Sequence, residues 1–360
     1  MTTTAYMMTD TEGVVQGDFV ERDLPELSAG EIQIQTAFSS VNYKDYLASL
    51  PNGGVIRQYP MVPGIDVSGT VVASKSGSFA VGDEVLVTGY DLGVRHDGGF
   101  ATQVQVPAEW AVKLPAGLSL QDAMAIGTAG FTAGSAIMKL EGLGMRVADQ
   151  PKIAVTGAAG GVGSVALALL QASGYQNVTP IVHRGGEGET TADDILALPN
   201  KPLLSQTYDY VIDTVGGELA AKLIAMLHYN GAIAMTGNAG GADLPTSVFP
   251  LILRGVSILG VDSVATDMPT RQLLWQRFAT DWHVMNALPV EEVPFEKLPD
   301  VLDAFAAHTH KGRTIITLLK KYAEQVWIRL VPRIFYWFTT HSPPVEVMLY
   351  FTLILWIGKK

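Results

Sequence analysis

"VTGAAGGVGS", Val155 to Ser164, lies between the apolar runs "KIAV" and "VALALL". The first run reads as a strand and the second as a helix. The glycines at 157, 160 and 163 therefore sit where a strand turns into a helix. Glycine there lets the backbone turn tightly and lets a diphosphate approach with no Cβ in the way. The first N–H groups of the helix, with the positive end of its dipole, then meet the phosphate charge. The spacing is G-x-x-G-x-x-G rather than the standard G-x-G-x-x-G, so the strand–turn–helix setting carries the dinucleotide reading.

The pattern continues outward from this loop. The next strand ends in "IVHRGG". An NAD site presents Asp or Glu about 20 residues after the glycines, to accept from the ribose hydroxyls. His183 and Arg184 stand there instead. Arg184 can pair a 2′-phosphate through both arms of its guanidinium, which favours NADP, or it can simply be solvated. Further strands follow as "YDYVIDTVG", "GAIAMTGN" and "VSILGVD". Their alternation with helices predicts a parallel sheet covered on both faces.

On the other side of the loop, residues up to about 125 are β-rich. "EIQIQTAF" alternates with period two, and "DVSGTVVAS", "GDEVLVTGY" and "GGFATQVQVP" are short runs bounded by turn residues. They predict a compact barrel-like domain. "DAMAIGTAGFTAGSAIM" is helical in character and joins the halves, and "PVEEVPFEKLPDVLDAFAAHTHKGRTIITL" ends in a helix and a last strand.

Composition narrows the chemistry. The 360 residues suffice for two domains, and the absence of cysteine excludes disulfides, thiolate metal sites and a cysteine nucleophile. The seven histidines show no metal-ligand spacing; His308 and His310 alone would make a poor site. We therefore expect no metal. The formal charge of −11 argues against broad nucleic-acid binding. The N-terminus shows no basic-then-apolar signal, so the cytoplasm is the expected location. From Lys320 onward "EQVWIRLVPRIFYWF" and "VEVMLYFTLILWI" flank "TTHSPP". The second run is short for a membrane span. Its aromatics and neighbouring Arg and Lys suit a membrane surface, and packing on the body is the alternative.

Taken in order, "SSVNYKDYLA", "YPMVPGIDVSGTV", "IGTAGFTA", "VTGAAGGVGS", "IDTVGG", "ILRGVSILGVDSV" and "KGRTIITL" resemble the zinc-independent acrylyl-CoA reductases. These form part of the medium-chain dehydrogenase/reductase superfamily, close to its quinone oxidoreductase branch. The resemblance covers about residues 1–319. It implies an α/β protein with a GroES-like catalytic domain (1–125 and 293–319), a Rossmann domain (126–292) and an appended tail (320–360). It further implies a homodimer and NADPH-dependent reduction of acryloyl-CoA to propanoyl-CoA. Carried over by residue, it places Tyr43 beside the cofactor and Ala159, Gly160, Gly161, Val162 and Gly163 at the diphosphate. Val182, His183 and Arg184 fall at the adenosine 2′-phosphate, and Asn238, Ile252 and Ser263 on the nicotinamide side, with Arg313 a further candidate. Two departures stand out. The stretch from Gly185 to Thr207 lacks the family's helix and Leu-Gly-Ala turn, and the apolar tail is extra.

Without zinc, hydride transfer needs an acceptor that is already electrophilic, such as a conjugated thioester or a quinone. "NYKD" supplies candidate groups: Tyr43 as hydrogen-bond or proton donor, with Asn42 and Asp45 fixing its geometry. Asp45 capping a helix is the plainer alternative. Lys44, Arg57 and Arg254 are candidates for a patch that pairs CoA phosphates. An NADPH:quinone oxidoreductase and a catalytically impaired dinucleotide-binding protein stay open beside the reductase.

Overall fold

The computed structural model describes residues 2–318 other than Arg184, Glu187 and His283. The tail and its membrane-surface reading therefore fall outside the described residues, as does Arg184.

β1 (Thr2–Thr11) and β2 (Val14–Asp23) form an antiparallel hairpin. Glu12 and Gly13 turn between them, both at positive φ (54° and 85°), as a two-residue type I′ turn requires. Next come β3 (Glu31–Val41), α1 (Tyr43–Ala48), β4 (Asp66–Ser74), β5 (Glu84–Thr88), β6 (Gln103–Pro107) and β7 (Val112–Lys113). α2 (Leu120–Gly142) leads into β8 (Ile153–Thr156), α3 (Gly161–Ala172), β9 (Val178–Val182), β10 (Thr190–Thr191) and α4 (Ala192–Leu196). β11 (Tyr208–Asp213), α5 (Gly217–Ala225), β12 (Leu227–Met235), α6 (Phe249–Arg254), β13 (Ser257–Gly260) and α7 (Met268–Thr280) follow. β14 (Val290–Pro294), α8 (Leu298–Ala306) and β15 (Arg313–Thr317) complete the described elements.

Six strands form a wholly parallel sheet in the order β10-β9-β8-β11-β12-β13. This is the doubly wound order of a dinucleotide-binding fold, and its strand order reverses between β8 and β11. In sheets of this order the crevice for a dinucleotide lies outside the C-terminal ends of those two strands, which is where the glycine loop follows β8. Leu219, Leu223, Ile224, Ile233 and Val211 are fully or almost fully buried against this sheet. The second large sheet runs β14-β15-β3-β4-β5-β7, with β6 also on β3. β15 pairs antiparallel with β3, Thr314 opposite Val41 and Thr317 opposite Phe38. The end of the described chain is thus built into the sheet of the N-terminal half.

Three local readings change. β3 carries a period-two alternation of apolar and polar residues, yet its polar Gln33 is buried as well, and the amide of Gln33 donates to Gln103 Oε1 at 2.6 Å. Gln103 in turn donates to Gln35 Oε1 at 3.1 Å, so paired amides let polar positions go inside. The stretch after β9, expected to lack the family's helix and Leu-Gly-Ala turn, holds the two-residue β10 and the five-residue α4. Thr191 and Asp194 cap that short helix reciprocally, the Asp194 N–H to Thr191 Oγ1 at 3.1 Å and the Thr191 N–H to Asp194 Oδ2 at 2.8 Å. Ile195 then anchors it in the core. Finally, β14 adds a strand parallel to β15 where only a helix and one strand were expected.

Candidate active site

The glycine loop is shaped by steric demand. Gly157 has φ +59°, and a Cβ there would lie 2.2 Å from Thr214 Oγ1 at the end of β11. A Cβ on Gly163 would lie 2.3 Å from the Gly157 carbonyl oxygen. The loop therefore folds back on itself and on the neighbouring strand more closely than any side chain permits. The first bond inside α3 runs from the Ser164 N–H to the Gly160 carbonyl at 2.9 Å. The N–H groups of Gly161, Val162 and Gly163 precede it and have no partner within the helix. No acidic residue occupies the first turn of α3. Beneath the loop, a Cβ on Gly161 would sit 3.5 Å from Arg313 Nη1. Backbone donors, a helix dipole and a nearby cation converge on one open spot. This donor set fits the diphosphate of a dinucleotide.

Across the crevice, buried charge is tied into a hub. α2 is broken at Gly127 (φ 51°, ψ −160°). Arg313 takes the carbonyls that the break releases: Nε donates to Ala125 at 3.0 Å and Nη2 to Met124 at 3.4 Å. Its Nη1 donates to Asn42 Oδ1 at 3.1 Å. The Asn42 amide nitrogen then donates to Asp66 Oδ2 at 2.8 Å, so Asn42 bridges cation and carboxylate. Asp66 also accepts from the Ser40 hydroxyl, from Thr128 N–H at 2.9 Å and from Thr128 Oγ1 at 2.5 Å. It thereby caps the helical segment that restarts after Gly127. A Cβ on Gly127 would fall within 2.6–2.8 Å of Ser40, Arg313 and Asp66 side-chain atoms, so only glycine fits there.

Asp45 adds a second buried carboxylate. It accepts the Asn42 N–H at 2.8 Å, capping α1, and the Ile65 N–H at 3.0 Å. Burial above all pushes its pKa up to about 7, with nearby Asp66 adding to the rise and the backbone donors opposing it. Arg313 is lowered from the usual arginine range by burial, with Asp66 and Asp45 opposing that shift.

The structure thus brings Asn42, Asp45, Arg313 and the loop from Ala159 to Gly163 into one neighbourhood. Gly312 N–H donates to the Ala159 carbonyl at 3.3 Å, joining the start of β15 to the glycine loop. Tyr43 opens α1 on the outer side and is 47% exposed. Val182 is half-buried at the end of β9 and His183 is exposed beyond it. Asn238 and Ile252 are exposed side chains outside the hydrogen-bonded hub. Ser263 is half-buried, and its carbonyl accepts from buried Arg271 at 3.3 Å. Arg254 is spent on the carbonyls of Leu204, Ala225 and Leu227, which removes it from a phosphate-pairing patch. Among the described residues no group of three His, Asp or Glu side chains is placed to hold a metal ion. Sequence reading missed Ser40, Asp66, Gly127 and Thr128. Their one local signal was a carboxylate inside the apolar stretch "GIDVSG".

Comparison with known proteins bears on this arrangement. The alcohol dehydrogenase GroES-like domain family matches residues 28–116. The acrylyl-CoA reductase AcuI of Ruegeria pomeroyi is 41% identical over 282 residues, 76% of this chain and 85% of that protein. Bacillus subtilis YhfP, provisionally named a quinone oxidoreductase, is 39% identical over 82% of this chain and 92% of its own. The chain belongs to the quinone oxidoreductase-like family of medium-chain dehydrogenases/reductases. Two solved members share the architecture. Escherichia coli K-12 YhdH, with NADPH bound, is 39% identical with a TM-score of 0.81 over 87% of this chain and 99% of that one. YhfP with NAD bound is 36% identical with a TM-score of 0.84 over 88% and 100%. As a member of this family the chain is an oxidoreductase built from a GroES-like domain and a Rossmann-like parallel sheet. Among the described residues no helix is long and apolar enough to cross a membrane.

Proposed function

We propose that this oxidoreductase uses NADPH to reduce the conjugated double bond of acryloyl-CoA, giving propanoyl-CoA. One observation carries the reading: the exposed phenol of Tyr43 sits on a rigid buried hub that also reaches under the glycine loop. The likeness to AcuI supports the substrate class, and YhdH with its bound NADPH supports the cofactor. NADPH, when bound, supplies a hydride to the β-carbon of the acceptor. Charge then moves to the thioester oxygen, which calls for a hydrogen-bond donor, and the α-carbon calls for a proton. The Tyr43 hydroxyl, with no hydrogen-bond partner among the described residues, is free to serve either need. Asn42 and Asp45 are turned inward, so their part is to hold the turn that presents Tyr43.

Arg184, by its position after β9, is the proposed partner of the 2′-phosphate. Replacing it with Ala should weaken NADPH binding by about 1.5–3 kcal/mol and leave NADH almost unchanged. A homodimer fits the surface beside β13. That strand ends the parallel sheet, and α6 with the residue capping it exposes Val248, Phe249, Ile252 and Leu253. Steady-state assay with NADPH and either acryloyl-CoA or a simple quinone tests the function. Turnover of the thioester well above that of the quinone supports the reductase; the reverse makes the chain a quinone oxidoreductase; neither makes it a dinucleotide-binding protein without this chemistry.

A further inference from the structure

Four aromatic rings form one cluster around the exposed phenol: Tyr46, Phe305 and His310 lie nearly parallel to one another, and the Tyr43 ring is tilted against them. Tyr43 and Tyr46, both on α1, have ring centroids 5.7 Å apart. Phe305, near the end of α8, lies 6.5 Å from Tyr43 and 6.3 Å from Tyr46, almost parallel to the latter. His310 lies flat against Phe305 with centroids 3.9 Å apart. The His310 Nε2 is 2.9 Å from Thr314 Oγ1 on β15, which fixes the direction of the ring. Two residues after His310, the Gly312 N–H holds the glycine loop at Ala159. The cluster therefore ends two residues along the chain from the segment that meets the glycine loop.

Its exposure is unusual for so much aromatic area. Tyr43 is exposed, and Tyr46, Phe305 and His310 are half-buried. Tyr46 and Phe305 back onto a core that includes Val301 and Leu302, so the stack is supported from behind while one side stays open. The imidazole carries no charge at neutral pH, because burial first and Arg313 second bring its pKa down to about 4. The face that Phe305 and His310 present is thus flat and uncharged, close to the Tyr43 hydroxyl. Such a surface suits the short aliphatic end of an acyl group and stops a longer one.

We propose that the Phe305–His310 stack is the wall on which the acyl end of the substrate comes to rest, and that it sets chain-length selectivity. This rests on the enoyl-thioester reading above. The test compares kcat/KM for acryloyl-CoA and trans-2-hexenoyl-CoA in the wild type, Phe305→Ala and His310→Ala. His310→Ala is included because Phe305 also packs on the core and its truncation can unfold the chain. In a folded variant the hexenoyl-to-acryloyl ratio should rise about tenfold or more, with the KM for NADPH unchanged. An unchanged ratio while the wild type still reduces acryloyl-CoA overturns the wall and spares the function. A raised KM for NADPH with an unchanged ratio also overturns it, and makes the stack a support for the cofactor. No turnover of either thioester by the wild type removes the function and the wall together.

Discussion

The hub beneath Tyr43 and the glycine loop beside it treat polar groups in opposite ways. In the hub, Asp45, Asp66 and Arg313 are almost wholly withdrawn from water, and each is tied by several hydrogen bonds. In the loop, the N–H groups of Gly161, Val162 and Gly163 are left without helical partners at the mouth of a crevice. Buried charge is tolerated only when its partners are complete, whereas a binding site works by keeping donors open. The two regions meet at Arg313, which completes the hub and lies close under Gly161. A rigid closed network therefore supports an open one.

The contrast predicts that open groups govern activity and closed groups govern stability. Tyr43 belongs to the open side. Tyr43→Phe keeps the ring and its packing, so unfolding should be unchanged while turnover of acryloyl-CoA falls roughly 10²–10⁴-fold if the phenol delivers the proton. Single-turnover kinetics at saturating NADPH measures this; a rate equal to wild type would assign the cluster to structure alone.

Arg313→Met attacks the closed side. It leaves Asp66 and the Asn42 carbonyl oxygen buried without their cationic partner, at a cost of about 3–5 kcal/mol. Urea unfolding followed by tryptophan fluorescence reads the loss. A cost below about 1 kcal/mol would mean that the hub tolerates an open partner as the loop does.

The hub should also respond to pH. Because folding raises the Asp45 pKa from 3.8 to about 7, the folded chain holds that proton more tightly than the unfolded chain. The associated stability is complete below pH about 4 and is lost as pH rises through about 7. The change is on the order of 2–4 kcal/mol across that window. Asp45→Asn should flatten the profile of unfolding free energy between pH about 5 and 8, measured against wild type. An unaltered slope would place the titration elsewhere.

The smallest expected effect is the one with two signs. Gly161→Asp puts a carboxylate on the first turn of α3, where ordinary contacts leave room for its Cβ. The unliganded protein should gain about 0.3–1 kcal/mol from the helix dipole. NADPH binding, followed by nicotinamide fluorescence, should weaken by about 1.5–3 kcal/mol, because the new anion occupies the donors meant for phosphate. Retained affinity would move the diphosphate away from this helix end.

How much of this was legible beforehand depends on the distance between partners in the chain. The glycine loop, the strands around it and the helical character of "DAMAIGTAGFTAGSAIM" could be read because each is a local event, decided within about a dozen residues by hydrophobic period and turn chemistry, whereas the break at Gly127 could not. The short helix α4 was also local, and its Thr191–Asp194 cap was a signal available but passed over. Asn42 and Asp45 stood out as polar residues in an apolar chain, yet nothing nearby showed that one would bridge Arg313 to Asp66 and the other would cap α1.

By itself, then, the order of residues determined a doubly wound sheet with a diphosphate cradle and a β-rich partner, because periodicity and glycine spacing act over short range. Only the tertiary structure decided what the polar residues do. The hub draws Ser40 and Asn42 from beside β3 and α1, Asp66 from β4, Gly127 and Thr128 from α2, and Arg313 from β15. A charge buried on one strand is stabilised by whichever groups the packing brings to it, and these lie up to 271 residues away.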